Sequence, residues 1–452
     1  MRRREFAPTD KELKRTLRRI AGFLTSRLCD DLLAQADDPR SRQGRGYKSC
    51  VPLLKAVVLG IASGCKGLKA VEKMTEKMFG RVRKLVGIPG VTADTTLRDL
   101  LVKFDPRELC KLIYAAGFDA WDRDYFTRLE GFPFHAISSD ADYPTVRDIG
   151  KSKTKGYKKS PYLQVHHDKE GGLSHGELRI TNSVLVTAHG RPVVGAVPVL
   201  GHTNEQKTFK QVLGDLVRVY GKRFKLLMYD AGAASKENAG LVRKVGKHYL
   251  FHIANEVWVM HQMMVQLLEG RSPQASSTVH ISKTERVERE LTMMSVTETP
   301  KSLTMWPSVR TIFRVVSRHY RPDQPVVTEV RYFATSMEAS ELPADKWEEL
   351  IRRKWGVETF HQILDHKDTF SEDTRVWIPM DARGALAVGL LRRLTAAILN
   401  LHKVRLAESG EKPDMTWPDL LDDVRRVLEW GGGDEIFPTP RPHKYRVPEA
   451  LA

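Results

Sequence analysis

Leu350 to Asp373 read LIRRKWGVETFHQILDHKDTFSED, and the charged residues of this stretch recur at helical spacing inside an apolar frame. Lys354, Glu358, His361 and Asp365 step by four, three and four. At roughly 100° per residue they make one narrow polar stripe, with Val357, Phe360 and Leu364 on an apolar face about 120° away. The stretch therefore predicts a helix that packs by one side and offers a carboxylate and an imidazole on another. A surface helix with i,i+4 ion pairs would show the same spacing, so its meaning depends on the rest of the chain.

Working back from it, residues 129–254 predict strands and helices in alternation from Phe132 on. PFHAISSD is a strand-like run with Asp140 at its tip and Asp142 two residues on. YLQVHHD, SVLVTAHG and PVVGAVPVL are further strand candidates, and Asn204 to Tyr220 carries the apolar spacing of a helix. Phe224 to Tyr229 is an apolar strand stopped by Asp230 and followed by Ala231-Gly232-Ala233-Ala234; Ser235 then caps a helix, and Tyr249 to Ile253 is another strand. This order predicts a mixed α/β sheet with acids at two strand ends. Residues 255–342 hold runs such as VERELTMMSV, VRTIFRVVSR and PVVTEVRYFATS, which predict a β-rich insertion. Residues 343–407 return to the core with the opening stretch and a long apolar helix from Ala385 to Leu401.

Towards the N-terminus the pattern is helical. Apolar residues recur at helical intervals over 11–36 and stop at Pro39. VPLLKAVVLGIASGCKGLKAVEKMTEKM gives two helices around a glycine break, a weak match to a helix-turn-helix. Thr92-Ala93-Asp94 and Asp105-Pro106 open two more, so 1–128 are expected to be an all-helical DNA-binding region. The tail, 408–452, is polar and proline-bearing, and an irregular segment is expected there.

At 452 residues and 41% hydrophobic content the chain can build real cores, and its net charge of +17 favours a polyanionic partner, nucleic acid first. Two basic clusters are candidates for phosphate contact: Arg40, Arg42 and Arg45 in a glycine-loosened loop, and Lys151, Lys153, Lys155, Lys158 and Lys159 directly after the first acidic strand. The N-terminus is basic without the apolar core of a signal peptide, and the expectation is a cytoplasmic protein that is not exported. Membrane association is not expected, because no helix pairs a lysine face with a strongly apolar one. The spacing of Cys29, Cys50, Cys65 and Cys110 matches no zinc pattern and predicts reduced packing thiols.

Two aspartates at strand ends and a glutamate on a late helix are what a two-metal phosphoryl-transfer site requires. Mg²⁺ takes oxygen ligands, and a pair of ions roughly 3.5–4 Å apart can activate an attacking water or 3′-hydroxyl and neutralise the departing oxygen. In that arrangement Asp140 bridges both ions, Asp230 completes one and Glu358 the other. Imidazole suits Mg²⁺ less well than oxygen, so His361 is expected beside the ligands or facing DNA.

The order of motifs resembles that of the DDE transposases of bacterial insertion sequences, in particular the H-repeat-associated branch. Asp38-Pro39-Arg40 with Gly44-Arg45, the break at Gly64, Thr95 to Leu100, Phe104-Asp105-Pro106, Asn204-Glu205, and Arg331-Tyr332-Phe333 with Ser336 follow that family's order. Trp355-Gly356-Val357-Glu358 with His361, Leu364-Asp365 and Glu372-Asp373 is the most specific stretch. The resemblance implies a ribonuclease H-like core, dependence on a divalent metal such as Mg²⁺ or Mn²⁺, and cleavage and strand transfer at the element's ends, its terminal inverted repeats, into target DNA. Because two copies would be needed to hold two ends together, a homodimer on DNA is expected from the mechanism. By motif position Asp140, Asp230 and Glu358 inherit the metal-binding acids, while Lys354 and His361 stand among the auxiliary DNA contacts. The chain departs from the pattern at Ala141-Asp142, where the family has glycine-lysine; this makes Asp142 a rival to Asp140. It departs again at Lys354 and Thr359.

Overall fold

The computed structural model describes residues 10–27, 30–40, 49–88, 90–146, 160–167, 173–256, 258–282, 284–296, 306, 308–374, 376–379, 381–410, 415–430 and 443–451. The N-terminal part is helical as expected: α1 (Asp10–Arg27), α2 (Asp30–Leu33), α3 (Cys50–Ala62), α4 (Leu68–Lys77), α5 (Gly80–Leu85), α6 (Asp94–Leu101) and α7 (Pro106–Asp122). Local chemistry sets several of the ends. Ser49 caps α3, and Asp105 accepts from the Arg107 amide at the start of α7, where Pro106 occupies the first turn and loses no helical hydrogen bond. Gly64, at φ 76°, makes the turn after α3 in a conformation only glycine adopts freely. Cys50, Cys65 and Cys110 are free thiols; Cys29 lies outside the described residues.

The α/β part begins with β1 (Ala136–Asp142), β2 (Thr145–Val146), β3 (Leu163–His167), β4 (Leu173–Val186) and β5 (Val193–Val199). After α8 (Glu205–Tyr220) come β6 (Leu226–Tyr229), α9 (Lys236–Lys244), β7 (His248–His252) and α10 (Val259–Leu268). The sheet runs β5–β4–β1–β6–β7 through its core, with β1, β6 and β7 parallel and β4 antiparallel to both β1 and β5. This is the mixed, helix-flanked sheet of ribonuclease H-like kind that the motif order implied. Of the parallel strands, β6 is buried along its length and β7 over its central residues, as expected where helices flank a sheet on both faces.

The expected β-rich insertion is not a separate layer. Its strands β8 (Ala275–His280), β9 (Arg286–Ser295), β10 (Thr311–Tyr320) and β11 (Val327–Thr335) continue the core sheet, since Phe333–Thr335 of β11 pair antiparallel with His252–Leu250 of β7. Leu291, Phe313 and Phe333 share one apolar cluster with Leu226, Met228 and Leu250 of the core strands and with Trp347, Leu350 and Ile351 of the next helix. Joining β7 to β11 leaves fewer open strand edges than two separate sheets would.

The stretch from Leu350 is not one helix. α11 (Ala344–Lys354) stops at Trp355, whose ψ of 5° breaks the α geometry, and α12 (Gly356–Asp365) starts afresh. Ser138 of β1 donates to the Lys354 carbonyl at 2.7 Å, satisfying an acceptor that the break leaves without a helical partner. Val357, Phe360 and Leu364 form the buried face, as the periodicity predicted. α13 (Ala382–Glu408) is long and apolar enough to cross a membrane, but its apolar window is wholly buried inside the protein, so it is a core helix.

The tail departs from expectation. It forms α14 (Trp417–Trp430), which packs on α1 through buried Leu420, Leu421, Val424, Val427 and Leu428. Beyond it, His443 bonds Asp119, Tyr445 donates its hydroxyl to the Arg27 carbonyl, and the Arg446 amide donates to Asp119. Apolar residues at three- and four-residue spacing in WPDLLDDVRRVLEW explain the helix.

Candidate active site

The last β1–β6 rung joins Ser139 to Tyr229, so Asp140 and Asp230 leave the carboxyl ends of adjacent parallel strands side by side. Parallel strands carry ligands at this end, where backbone pairing ceases and side chains converge. Glu358 comes from the first turn of α12, which lies against β1 and β4. The three predicted acids are therefore brought to one end of the sheet and feel one another's charge. Burial, then the carboxylates of Glu205 and Asp230, push the Asp140 carboxyl up to about 8 against the opposing pull of Lys354, with Glu358 adding to the rise. Glu358 is raised by burial first, then drawn down by Lys354 and up by Asp230.

Asp230 is the ionised member. Burial works against its charge, but a hydrogen bond with His252 and the nearby Lys354 ammonium hold it well below the usual carboxylate range. Both neighbours address one oxygen: His252 Nδ1 is 2.9 Å and Lys354 Nζ 3.0 Å from Asp230 Oδ1. His252 follows the last β6–β7 rung, Tyr229 with Phe251, and so stands beside Asp230 for the same reason that Asp140 does.

His361 lies inside the site, 12% exposed, with Nδ1 4.0 Å from Asp140 Oδ2 and Nε2 3.0 Å from the Asn182 amide nitrogen. Burial, helped by the Arg393 charge, lowers it to about 3, so the ring is neutral. With Asn182 donating, Nε2 accepts, and the ring proton is assigned to Nδ1, on the Asp140 side. Asn182 is held in turn by Arg393, whose Nε donates to its Oδ1 at 2.7 Å.

Asp142 separates from its rival. Its Oδ2 receives Arg393 Nη2 at 2.6 Å, and Arg393 Nη1 bonds both oxygens of Glu372 at 2.9 and 3.0 Å. Among the described residues, Asp142, Asp365 and Glu372 are the acids whose ligand atoms all fall within 4.8 Å of one another. We read them as an ion network rather than a metal centre, because the fully buried Arg393 guanidinium already supplies the cation to two of the three. Asp140, Asp230 and Glu358 do not form such a close group and meet through the sheet end and the shared electrostatics described above. Their donor set is all oxygen and fits Mg²⁺ or Mn²⁺.

The predicted DNA contacts fare differently from one another. Lys354 is 1% exposed and engaged with Asp230. Arg40 forks onto Asp38, Nε to Oδ1 at 3.0 Å and Nη2 to Oδ2 at 2.9 Å. Arg42, Arg45, Lys151, Lys153, Lys155, Lys158 and Lys159 lie outside the described residues. Sequence reasoning missed His252, Asn182 and Arg393 altogether, and it took Glu205 only as half of an Asn-Glu pair. The signal for His252 was its position at the end of a third apolar strand; Arg393 gave none, standing beside Arg392 in an apolar helix.

A family model described as a transposase DDE domain matches residues 164–375, a span that includes Asp230 and Glu358 and begins after Asp140. No curated protein matches the chain. Among solved structures the chain is similar to a piggyBac transposase in a cryo-EM synaptic complex with hairpin DNA, at 11% identity and TM-score 0.43, over 94% of this chain and 80% of that one.

Proposed function

We propose that this chain, which carries a transposase DDE domain over residues 164–375, cleaves DNA at the ends of an insertion sequence and joins the 3′-hydroxyl ends to target DNA. The observation that carries this reading is the Ser139–Tyr229 register, which sets Asp140 beside Asp230 at the sheet end that α12 covers with Glu358. Asp140, Asp230 and Glu358 would hold two divalent ions, Mg²⁺ or Mn²⁺. When bound, such a pair polarises the scissile phosphate and lowers the pKa of the attacking water or hydroxyl.

The chain's own groups prepare that site. Lys354 and His252 fix Asp230 through Oδ1 and leave Oδ2 to face a ligand. His361, kept neutral by burial, turns its Nδ1 proton toward Asp140 and is locked by Asn182 and Arg393. Asp140 carries a proton at neutral pH while its neighbours are uncompensated, and gives it up when cationic charge enters. The basic run from Lys151 to Lys159 comes after β2 in sequence and by its charge suits a phosphate backbone. Two copies on DNA would hold two element ends together, and the work would fall in the bacterial cytoplasm.

The test is metal-dependent nicking of DNA carrying the element's ends, followed by joining of a pre-cleaved 3′-hydroxyl end to a plasmid. Asp230→Asn and Glu358→Gln should each abolish nicking; nicking that survives both contradicts the site. Nicking without joining would mark a nuclease, and DNA binding without either would mark a protein that has lost its chemistry.

A further inference from the structure

We infer that Glu205 is a fourth carboxylate of the metal site, supplying an oxygen beside Asp140 and Asp230. This rests on the reading just given.

A glutamate at the start of a helix needs no special role, since negative charge there favours the helix dipole and Asn204 already caps the first turn. Such a residue is normally solvated, whereas Glu205 is 8% exposed. It is also placed with unusual specificity. The Tyr143 hydroxyl, three residues after Asp140, donates to its Oε1. Its Oε2 lies so near the Ala231–Ala233 turn that a Cβ at Gly232, two residues after Asp230, would stand 2.5 Å from it. The carboxylate is thus pinned between the two strand ends that bear the other acids.

No lysine or arginine forms an ion pair with Glu205 among the described residues. Arg179, whose charge reaches Glu205, lies over the Tyr143 ring at 5.0 Å and pairs with Glu177. A buried carboxylate whose hydrogen-bond partner is a neutral hydroxyl is expensive unless a cation joins it, and here the other three acids point to which cation. Gly232 is the residue type that leaves this carboxylate its place, because any side chain would displace it.

The experiment is Mn²⁺ binding to the full-length protein by calorimetry, with Mn²⁺-induced thermal stabilisation as a second readout. Glu205→Gln keeps the acceptor for Tyr143 but removes the charge, and it should weaken Mn²⁺ binding at least tenfold while leaving the metal-free melting temperature unchanged or higher. Gly232→Ala, with the charge intact but displaced, should weaken binding too, and the double variant should lose little more than either single one. Glu358→Gln reports on the underlying reading. If it weakens binding and Glu205→Gln binds like the wild type, Glu205 is a structural residue and the inference fails. If Glu358→Gln also binds like the wild type, the reading of the site fails and takes the inference with it.

Discussion

Lys354 Nζ lies 3.0 Å from Asp230 Oδ1, so a buried ammonium faces the acid of the site that is held well below the usual carboxylate range. It also sits where divalent charge would compete with it. Lys354→Gln should cost the metal-free protein about 1–2 kcal/mol, a modest figure because Asp230 is 36% exposed and partly screened. The same variant should gain more from Mn²⁺, its melting temperature rising further on metal addition than that of the wild type. Equal metal-induced shifts would show that lysine and metal do not compete.

Arg393 is fully buried and bonds Asn182, Asp142, Glu372 and the Gly389 carbonyl. Removing one partner of a buried ion network leaves the others uncompensated, which costs about 3–5 kcal/mol. Arg393→Met should therefore lower stability by that order in denaturant unfolding and release His361 through Asn182. A loss under 1 kcal/mol would mean that the network is dispensable.

Among the described residues, Asp365 is the acid of that network that bonds no arginine, and its Oδ1 is buried without a hydrogen-bond partner. Burial, then Asp142, Asp373 and Glu372, raise it to about 8 against Arg393. A carboxyl raised on folding binds its proton more tightly in the native state, so it destabilises the fold progressively as pH climbs from about 4, its unfolded value, to about 8. Asp365→Asn should match the wild type near pH 4 and become increasingly more stable up to pH 8, as read by melting temperature. A difference that is flat or shrinks with pH would contradict the assigned environment.

The C-terminal helix is part of the fold. Leu420 is fully buried against the N-terminal region, and Leu420→Ala should cost about 2–5 kcal/mol in denaturant unfolding. A change below 1 kcal/mol would return the tail to the irregular segment that composition suggested.

What the sequence disclosed follows the reach of its signals. Local periodicity found the buried face of α12 through Val357, Phe360 and Leu364, and apolar runs ending in acid found β1 and β6. The break at Trp355 was invisible, because the helical spacing continues through it and a long-range bond from Ser138 accompanies the change. The β strands after Ala254 were legible as strands, yet nothing local says that Phe333 pairs with His252; pairing is decided by which edge is free. α14 carried the same periodicity used elsewhere and was overlooked through its polar, proline-bearing flanks. Strand ends and motif order pointed to Asp140, Asp230 and Glu358, the acids proposed here to hold the ions. The choice against Asp142 could not, since it depends on Arg393 arriving from a helix 251 positions away.

Asp140, Asp230 and Glu358 are proposed to hold the ions jointly. Anomalous diffraction from crystals of the protein grown with Mn²⁺ tests it most directly. Anomalous peaks are expected at about 2.0–2.3 Å from carboxylate oxygens of Asp140 and Asp230, with Glu358 ligating one of the ions. Peaks at the Asp142–Asp365–Glu372 network with none at Asp140 and Asp230 would contradict it.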